Sequence, residues 1–442
     1  MNVSLKKFFF SSRFLSIKKN LTISFMLKFF SLFYLFAIPK IILLNFDTKI
    51  YGLFLTVISI SMFFELLDFG LGTNLRNNIV KLNILKNKKP LKKYISTTYF
   101  LIIFISLFSI IAFIFIKDYL NWSYFFNEKD YQKYNINYLI NFFIIYSILS
   151  ISLRNLNQIF FSIHSSYFVD LIDLLAKSTF FFLLILSYFE KFEINFNFLF
   201  YYYIFSYVFI NLVSNVIFFI KFKLYRPEIK FISLTKINKY FYNSFQFFIL
   251  QIGAIIFFYS DRIMISKNFS SSEVTNFFIT GQIYFVLFAI FNLLTIPFWS
   301  SYTDAYFKKD IKWIKNSIYF QLIIFFIFII IGYLIFIFSD QIINIWIGND
   351  FSFNFTLSFS WYVLILLKCL SLIFVNFLNA INELKSQIVI SIIIIFFNIP
   401  LSLFFALNLN FGSAGILYGS ISCVILAIIV QISMYIHRIK IN

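Results

Sequence analysis

Lys28, Arg154, Lys177, Arg262 and Lys368 stand inside long apolar runs, and Glu65, Asp68, Asp170, Asp173 and Asp261 stand at comparable depth. An ionised side chain at the centre of a hydrocarbon layer costs on the order of 3 kcal/mol on insertion scales, so each is expected to face a bundle interior or a wet cavity. Asp173 and Lys177 are four apart with the acid first, the order in which a helical pair stabilises best. Glu65 and Asp68 are three apart and share a face near a helix C-terminus, where the macrodipole disfavours negative charge and a cationic partner is wanted. Lys28, Arg154, Arg262 and Lys368 have no such local partner, except that Asp261 adjoins Arg262 and points about 100° away around the helix. Cations converging on one cavity would replace water around a phosphate, arginine as a planar fork and lysine as a point charge. These four and Lys177 are therefore the candidate substrate-binding residues. Mutual neutralisation with the nearby acids is the competing account, and Lys40, beside Pro39, is placed to snorkel to a surface.

The elements that must position these charges are membrane helices. Of 442 residues 61% are hydrophobic and 12% charged, and the mean hydropathy is +0.88, too apolar for a water-soluble globule of this length. Windows of about 20 apolar residues place crossings near 21–44, 51–69, 94–116, 138–163, 167–189 and 196–220, then near 241–266, 274–298, 316–338, 353–380, 386–408 and 413–436. Gly70 and Gly72 are expected to end the second crossing. The expected fold class is an all-α polytopic membrane protein with about twelve transmembrane helices. Alternate connections hold most of the Lys and Arg, while the opposite ones hold only Lys49, Lys117, Lys129, Lys133, Lys191 and Lys267. By the positive-inside rule both termini are cytoplasmic and the protein is multi-pass in the cell inner (plasma) membrane. The basic stretch 221–240 reads as a cytoplasmic linker between an N-terminal lobe, 1–220, and a C-terminal lobe, 241–442. The halves are weakly alike in hydropathy spacing, a transporter habit in which the transport site lies where the halves meet.

Lys6 and Lys7 precede a Phe8 to Phe10 cluster with no cleavage pattern, which predicts a retained tail on the membrane surface. The net charge of +19 is met by anionic lipid at the basic connections and requires no nucleic acid. The abundant Phe (71) and Tyr (28) rise with Ile, Lys and Asn, as a codon bias would produce, and are given no function. Cys369 and Cys423 fall in apolar runs, which argues against a disulfide or metal site, and no cofactor is expected. Enzyme chemistry is poorly supported. His164 and His437 lie far apart at helix edges, no glycine-rich phosphate loop occurs, and the longest outer loop, with Glu128 and Asp130, is short for a catalytic domain.

Two stretches carry a family resemblance. Tyr51 to Lys81, YGLFLTVISISMFFELLDFGLGTNLRNNIVK, resembles the second helix and following loop of the bacterial O-antigen and polysaccharide flippases, the Wzx-type members of the MATE-like MOP superfamily. From Phe245 the chain looks like that family's seventh and eighth helices, with Asp261, Pro297, Trp299, Tyr302, Asp304 and Ala305 in the expected order. The resemblance implies two six-helix lobes around a central, often cationic cavity. It further implies translocation of an undecaprenyl-diphosphate-linked oligosaccharide to the outer leaflet for O-antigen, lipopolysaccharide or other surface polysaccharide biosynthesis. Lipid-linked oligosaccharide, membrane lipids and other polysaccharide assembly proteins are the partners so implied. Were an ion gradient used, Glu65, Asp68, Asp170, Asp173 and Asp261 are the candidate ion-coupling residues. A multidrug or organic cation exporter of the same architecture and a membrane-embedded glycan polymerase are the alternatives.

Overall fold

The computed structural model of the chain describes residues 12–84, 88–127, 136–163, 165–189, 196–233, 237–348, 351, 353–381 and 383–441. The expected surface tail through Phe10, His164, and the loop acids Glu128 and Asp130 lie outside the described residues. All regular structure among the described residues is helical. A chain whose segments must bury every backbone N–H and C=O without water has that one open solution short of a closed barrel.

The helices are α1 (Ser12–Asn45), α2 (Thr48–Met62), α3 (Leu71–Ile84), α4 (Lys88–Ile116), α5 (Ile136–Ser162), α6 (Tyr167–Phe189) and α7 (Phe196–Lys221). They continue as α8 (Ile237–Asn268), α9 (Ser271–Phe307), α10 (Ile311–Ile337), α11 (Ser339–Trp346), α12 (Phe355–Ala380), α13 (Leu384–Leu403) and α14 (Gly412–Ile441). Among them, 11 spans are long and apolar enough to cross a membrane. The remaining long helix is α6, 23 residues, which carries Asp170, Asp173 and Lys177. Each expected crossing thus has its helix.

Two local expectations are corrected. The second crossing tightens into a 3₁₀ turn over Phe63–Asp68 and stops on Phe69, which is left-handed at φ 48. Gly70 follows at φ +75, and a Cβ there would stand 2.5 Å from the Ser244 carbonyl oxygen, so this turn needs glycine. Gly72, expected to end the helix, instead lies inside α3. Asp68 holds the turn: its carboxylate accepts from the Gly70 N–H at 2.8 Å and the Gly72 N–H at 3.4 Å. The stretch 70–93, expected as a loop, contains α3 because Leu71, Leu75 and Ile79 recur at helical spacing and are fully buried.

By contacts the chain forms two compact units. Unit 1 holds Met1–Asn45, Ser61–Asn121 and Asn135–Phe248; unit 2 holds Phe46–Ile60, Trp122–Tyr134 and Ile249–Asn442. In unit 1, α1 packs on α6, α6 on α7, and α5 on α4 and α7. Its core joins Leu75, Ile79, Leu91, Ile95, Leu156, Ile159, Phe160, Ile172 and Phe218. The segment after α7 is pinned to α4, since Ser96 Oγ accepts from the Glu228 N–H and Thr97 Oγ1 from the Ser233 N–H, both at 3.0 Å. In unit 2, α12 packs on α9, α10 and α14, and α14 packs on α13. A Cβ on Gly281 would meet the Trp361 ring at 2.7 Å, so glycine lets α9 approach α12, where the Trp361 indole donates to the Phe277 carbonyl at 3.0 Å.

Candidate functional site

The candidate site of unit 1 is a polar cavity of about 270 Å³ between α5, α6 and α7, closed on one side by Met62. Helix α5 contributes Tyr146, Arg154 and Asn157; α6 contributes Asp170, Asp173 and Ala176; α7 contributes Tyr203, Tyr207 and Asn211. Spacings of three, four and eight residues bring these groups to one face of each helix. Two of the three charged lining residues, Arg154 and Asp173, are paired. Arg154 bonds Glu65, and Lys177 sits 2.7 Å from Asp173 while donating to Ser31 of α1 at 2.9 Å. Arg154, expected from the sequence to lack a nearby partner, therefore finds one 89 residues away.

The rest of the lining is three tyrosines, two asparagines and the apolar Met62, Val169, Ile172 and Ala176. Tyr203 and Tyr207 lie with ring centroids 4.5 Å apart, and Tyr146 meets Tyr203 edge-on at 6.3 Å. Phe143 and Phe180 hold Tyr203 from behind, each at 5.5 Å. The Asn157 Oδ1 is buried and accepts no hydrogen bond among the described residues. A buried acceptor without a donor beside a cavity marks a place for a ligand hydroxyl or an ordered water. The arrangement offers phenol rings to stack on, amides and hydroxyls to bond with, and acid–base pairs able to exchange partners.

Unit 2 has a separate charged cluster. Asp261 and Arg262 of α8 and Lys368 of α12 line a space of about 30 Å³ with Phe257, Phe258, Phe278, Phe285 and Trp361. The Lys368 ammonium stands over the rings of Phe257, Phe258 and Phe285 at 4.6, 4.8 and 5.6 Å, and Arg262 over Phe278 at 4.8 Å. Asp261 is 6% exposed, and its Oδ1 has no hydrogen-bond partner among the described residues. A space of this size holds a water or two or a bare ion, but no sugar ring.

The ten residues singled out in the sequence thus separate. Arg154, Asp170 and Asp173 line the unit 1 cavity, with Glu65 paired to Arg154 and Lys177 to Asp173. Asp261, Arg262 and Lys368 meet in unit 2. Asp68 is engaged in the turn after α2, and Lys28 is exposed on α1. Sequence reasoning missed Tyr146, Asn157, Tyr203, Tyr207 and Asn211. The run YYYIFSY, with Tyr203 and Tyr207 one helical turn apart and Asn211 a turn further, carried the signal that the general aromatic excess hid.

No family model and no curated protein matches this sequence. Solved structures do. An inward-facing multidrug resistance MATE family transporter of the MOP superfamily superposes with a TM-score of 0.76 at 14% identity, over 96% of this chain and 98% of that one. An outward-facing one gives 0.64 at 14% identity, over 96% and 95%. The lipid II flippase MurJ, inward closed, gives 0.66 at 16% identity, over 95% and 89%. Eleven apolar spans, the helix order and these likenesses give this multi-pass membrane chain the fold of MOP-superfamily transporters and flippases.

Proposed function

We propose that this chain is a flippase moving a lipid-linked oligosaccharide, a polyprenyl diphosphate sugar, from the cytoplasmic to the outer leaflet of the inner membrane for surface polysaccharide biosynthesis. The observation that carries the reading is the unit 1 cavity, where tyrosine rings, amides, two ion-paired residues and the Asp170 carboxylate line one space. A sugar head is polyhydroxylated and presents both donors and acceptors, which phenol, amide and carboxylate groups match. Arg154, 47% exposed, is placed to give its planar fork to a diphosphate in exchange for Glu65. Lys177 steadies Asp173 at the same wall. Asp261, Arg262 and Lys368, in a space too small for the head, serve coupling rather than cargo, whether the coupled ion is a proton or a metal cation. The moving lobes are 1–220 and 241–442, with 221–240 between them and both termini in the cytoplasm. Outward movement of an anionic head is aided by an inside-negative potential, by roughly 2.3 kcal/mol per charge per 100 mV.

A second reading, export of organic cations, is favoured by Asp170 and Asp173 in the cavity and by the likeness to MATE transporters. Proteoliposomes separate the two. One set carries a polyprenyl-diphosphate trisaccharide whose outer-leaflet exposure is read with a lectin; another carries ethidium, whose efflux is read by fluorescence. Protein-dependent lectin exposure without ethidium efflux is expected, and ethidium efflux with no lectin signal would establish the exporter instead.

A further inference from the structure

We propose that a groove between α5, α6 and α7 in unit 1, apart from the polar cavity, docks the hydrocarbon chain of a single-chain polyprenyl phosphate, with Lys221 on the phosphate. The inference rests on the reading that the cargo is lipid-linked, and it says where such a lipid is first held. The groove encloses about 270 Å³, and Ser214 and Lys221 are its polar residues. Its floor is rigid and aromatic: Phe160 and Phe218 are each 4% exposed with rings 4.9 Å apart, and Phe168 and Phe222 extend the floor at 5.0 and 4.9 Å. Its rim is open, with Leu175, Val213 and Ile217 at 44%, 38% and 61% exposure.

Three features choose the occupant. The first is charge: Lys221 is the last residue of α7 and lies exposed at the rim, followed by exposed Lys223 and Arg226. Glu228, in the segment that follows, is held by Lys92 and Lys230, so it does not offset Lys221, Lys223 and Arg226 at the rim. The second is number. One groove with one lining cation matches one chain and one phosphate head. The third is the partition made by α6. Phe168, Leu171 and Leu175, spaced three and four apart, face the groove, while Asp170, Asp173 and Ala176 face the polar cavity, and Ile172 lines both. One helix therefore separates an oily slot from a sugar-compatible space within the same unit. That is the division a lipid-linked saccharide carries within itself.

The test uses the full chain in phosphatidylcholine nanodiscs and a diazirine-tagged farnesyl phosphate bearing no sugar, crosslinked by light and mapped by peptide mass spectrometry. Label is expected on the groove faces of α5 to α7, displaced by unlabelled polyprenyl phosphate and far less by phosphatidylglycerol at the same mole fraction. Lys221→Gln should weaken labelling about tenfold, the worth of one charge-assisted contact. Val213→Trp, which fills the slot, should abolish it, with Ile217→Trp at the most open position as a second filler should the first disturb folding. Equal displacement by phosphatidylglycerol, label spread over all spans, or fillers that fold and still label would each overturn the proposal. Because the assay contains no sugar and measures no transport, ethidium efflux without lectin exposure by a chain that labels in the groove would reject the flippase reading and leave the lipid site standing.

Discussion

Arg154 and Glu65 pose a question that a double-mutant cycle answers: is the arginine a strut for the acid, or does it hold cargo? Their side chains are 47% and 25% exposed, so the pair is half in water. At an effective dielectric of about 20, charges in contact attract by about 4 kcal/mol, while fully exposed pairs measure below about 1. Breaking a buried pair costs about 3–5 kcal/mol. Between these limits, Glu65→Gln and Arg154→Gln should each lower stability in detergent by about 1–2 kcal/mol, and the double variant should recover to within about 0.5 kcal/mol because no lone charge is left. Transport should follow a different rule. If Arg154 contacts phosphate, its loss removes about 1.5–3 kcal/mol of charge-assisted bonding, or roughly 10- to 150-fold in flipping rate at limiting substrate, and neutralising Glu65 cannot return it. The assay pairs a thermal melt with lectin-read flipping in proteoliposomes for all four proteins. Flipping restored together with stability in the double variant would refute cargo contact and reduce Arg154 to a strut.

Three further outcomes are expected. Asp261→Asn removes the acid that shares the unit 2 space with the Lys368 charge; as no ion pair joins them among the described residues, it should cost less in the melt than the roughly 4 kcal/mol of charges in contact, part of it regained in an Asp261→Asn, Lys368→Met double variant; an unchanged single-variant melt would show that the acid does not support the lysine. Gly281→Ala drives a methyl to within 2.7 Å of the Trp361 ring and should destabilise unit 2 by about 1–3 kcal/mol, whereas no effect would mean that α9 and α12 part freely. Lys92 and Lys230, hydrogen-bonded to Glu228, hold its carboxyl below its ordinary value of 4.5. A folded value lowered in this way adds stability above pH 4.5 that disappears as pH falls through the folded value. The stability gap between the wild type and Glu228→Gln should therefore be constant at neutral pH and close on acidification, and a gap that does not change with pH would deny the clamp.

What the sequence disclosed and what it hid divide by the range of the interactions. Helix positions came from runs of about 20 apolar residues, because lipid leaves a crossing segment no other way to satisfy its backbone. The Asp173–Lys177 pair was legible for the same local reason, being one turn apart. Arg154–Glu65 was not legible, since 89 residues separate its members and only the packing of unit 1 joins them. Helix α3 escaped notice because its buried face, Leu71, Leu75 and Ile79, is short and its other faces are polar and basic, so the mean hydropathy of the stretch looked like loop. The tyrosines of the cavity were hidden by abundance: with Tyr at 28 and Phe at 71 residues, no single ring stands out until the structure shows which ones share a space with Asn157 and Asp170.

Pairing changes what the interior charges select. A cavity of unpaired cations would attract any anion, including free phosphate and nucleotides, and would give affinity with little discrimination. Pairing Arg154 with Glu65 and Asp173 with Lys177 weakens that pull, and Asp170 adds a negative charge to the wall. Arg154 yields to a ligand that replaces Glu65, at modest cost because the pair is half in water. A diphosphate joined to a sugar meets that demand on Arg154, while its hydroxyls meet the open acceptor of Asn157 and the tyrosine rings. Free phosphate meets the first demand and leaves the second unmet. Selection in unit 1 thus follows from requiring both at once, and it predicts that inorganic phosphate, even at high concentration, competes poorly with the lipid-linked sugar in the flipping assay. Strong inhibition by phosphate alone would return the cavity to a simple anion trap.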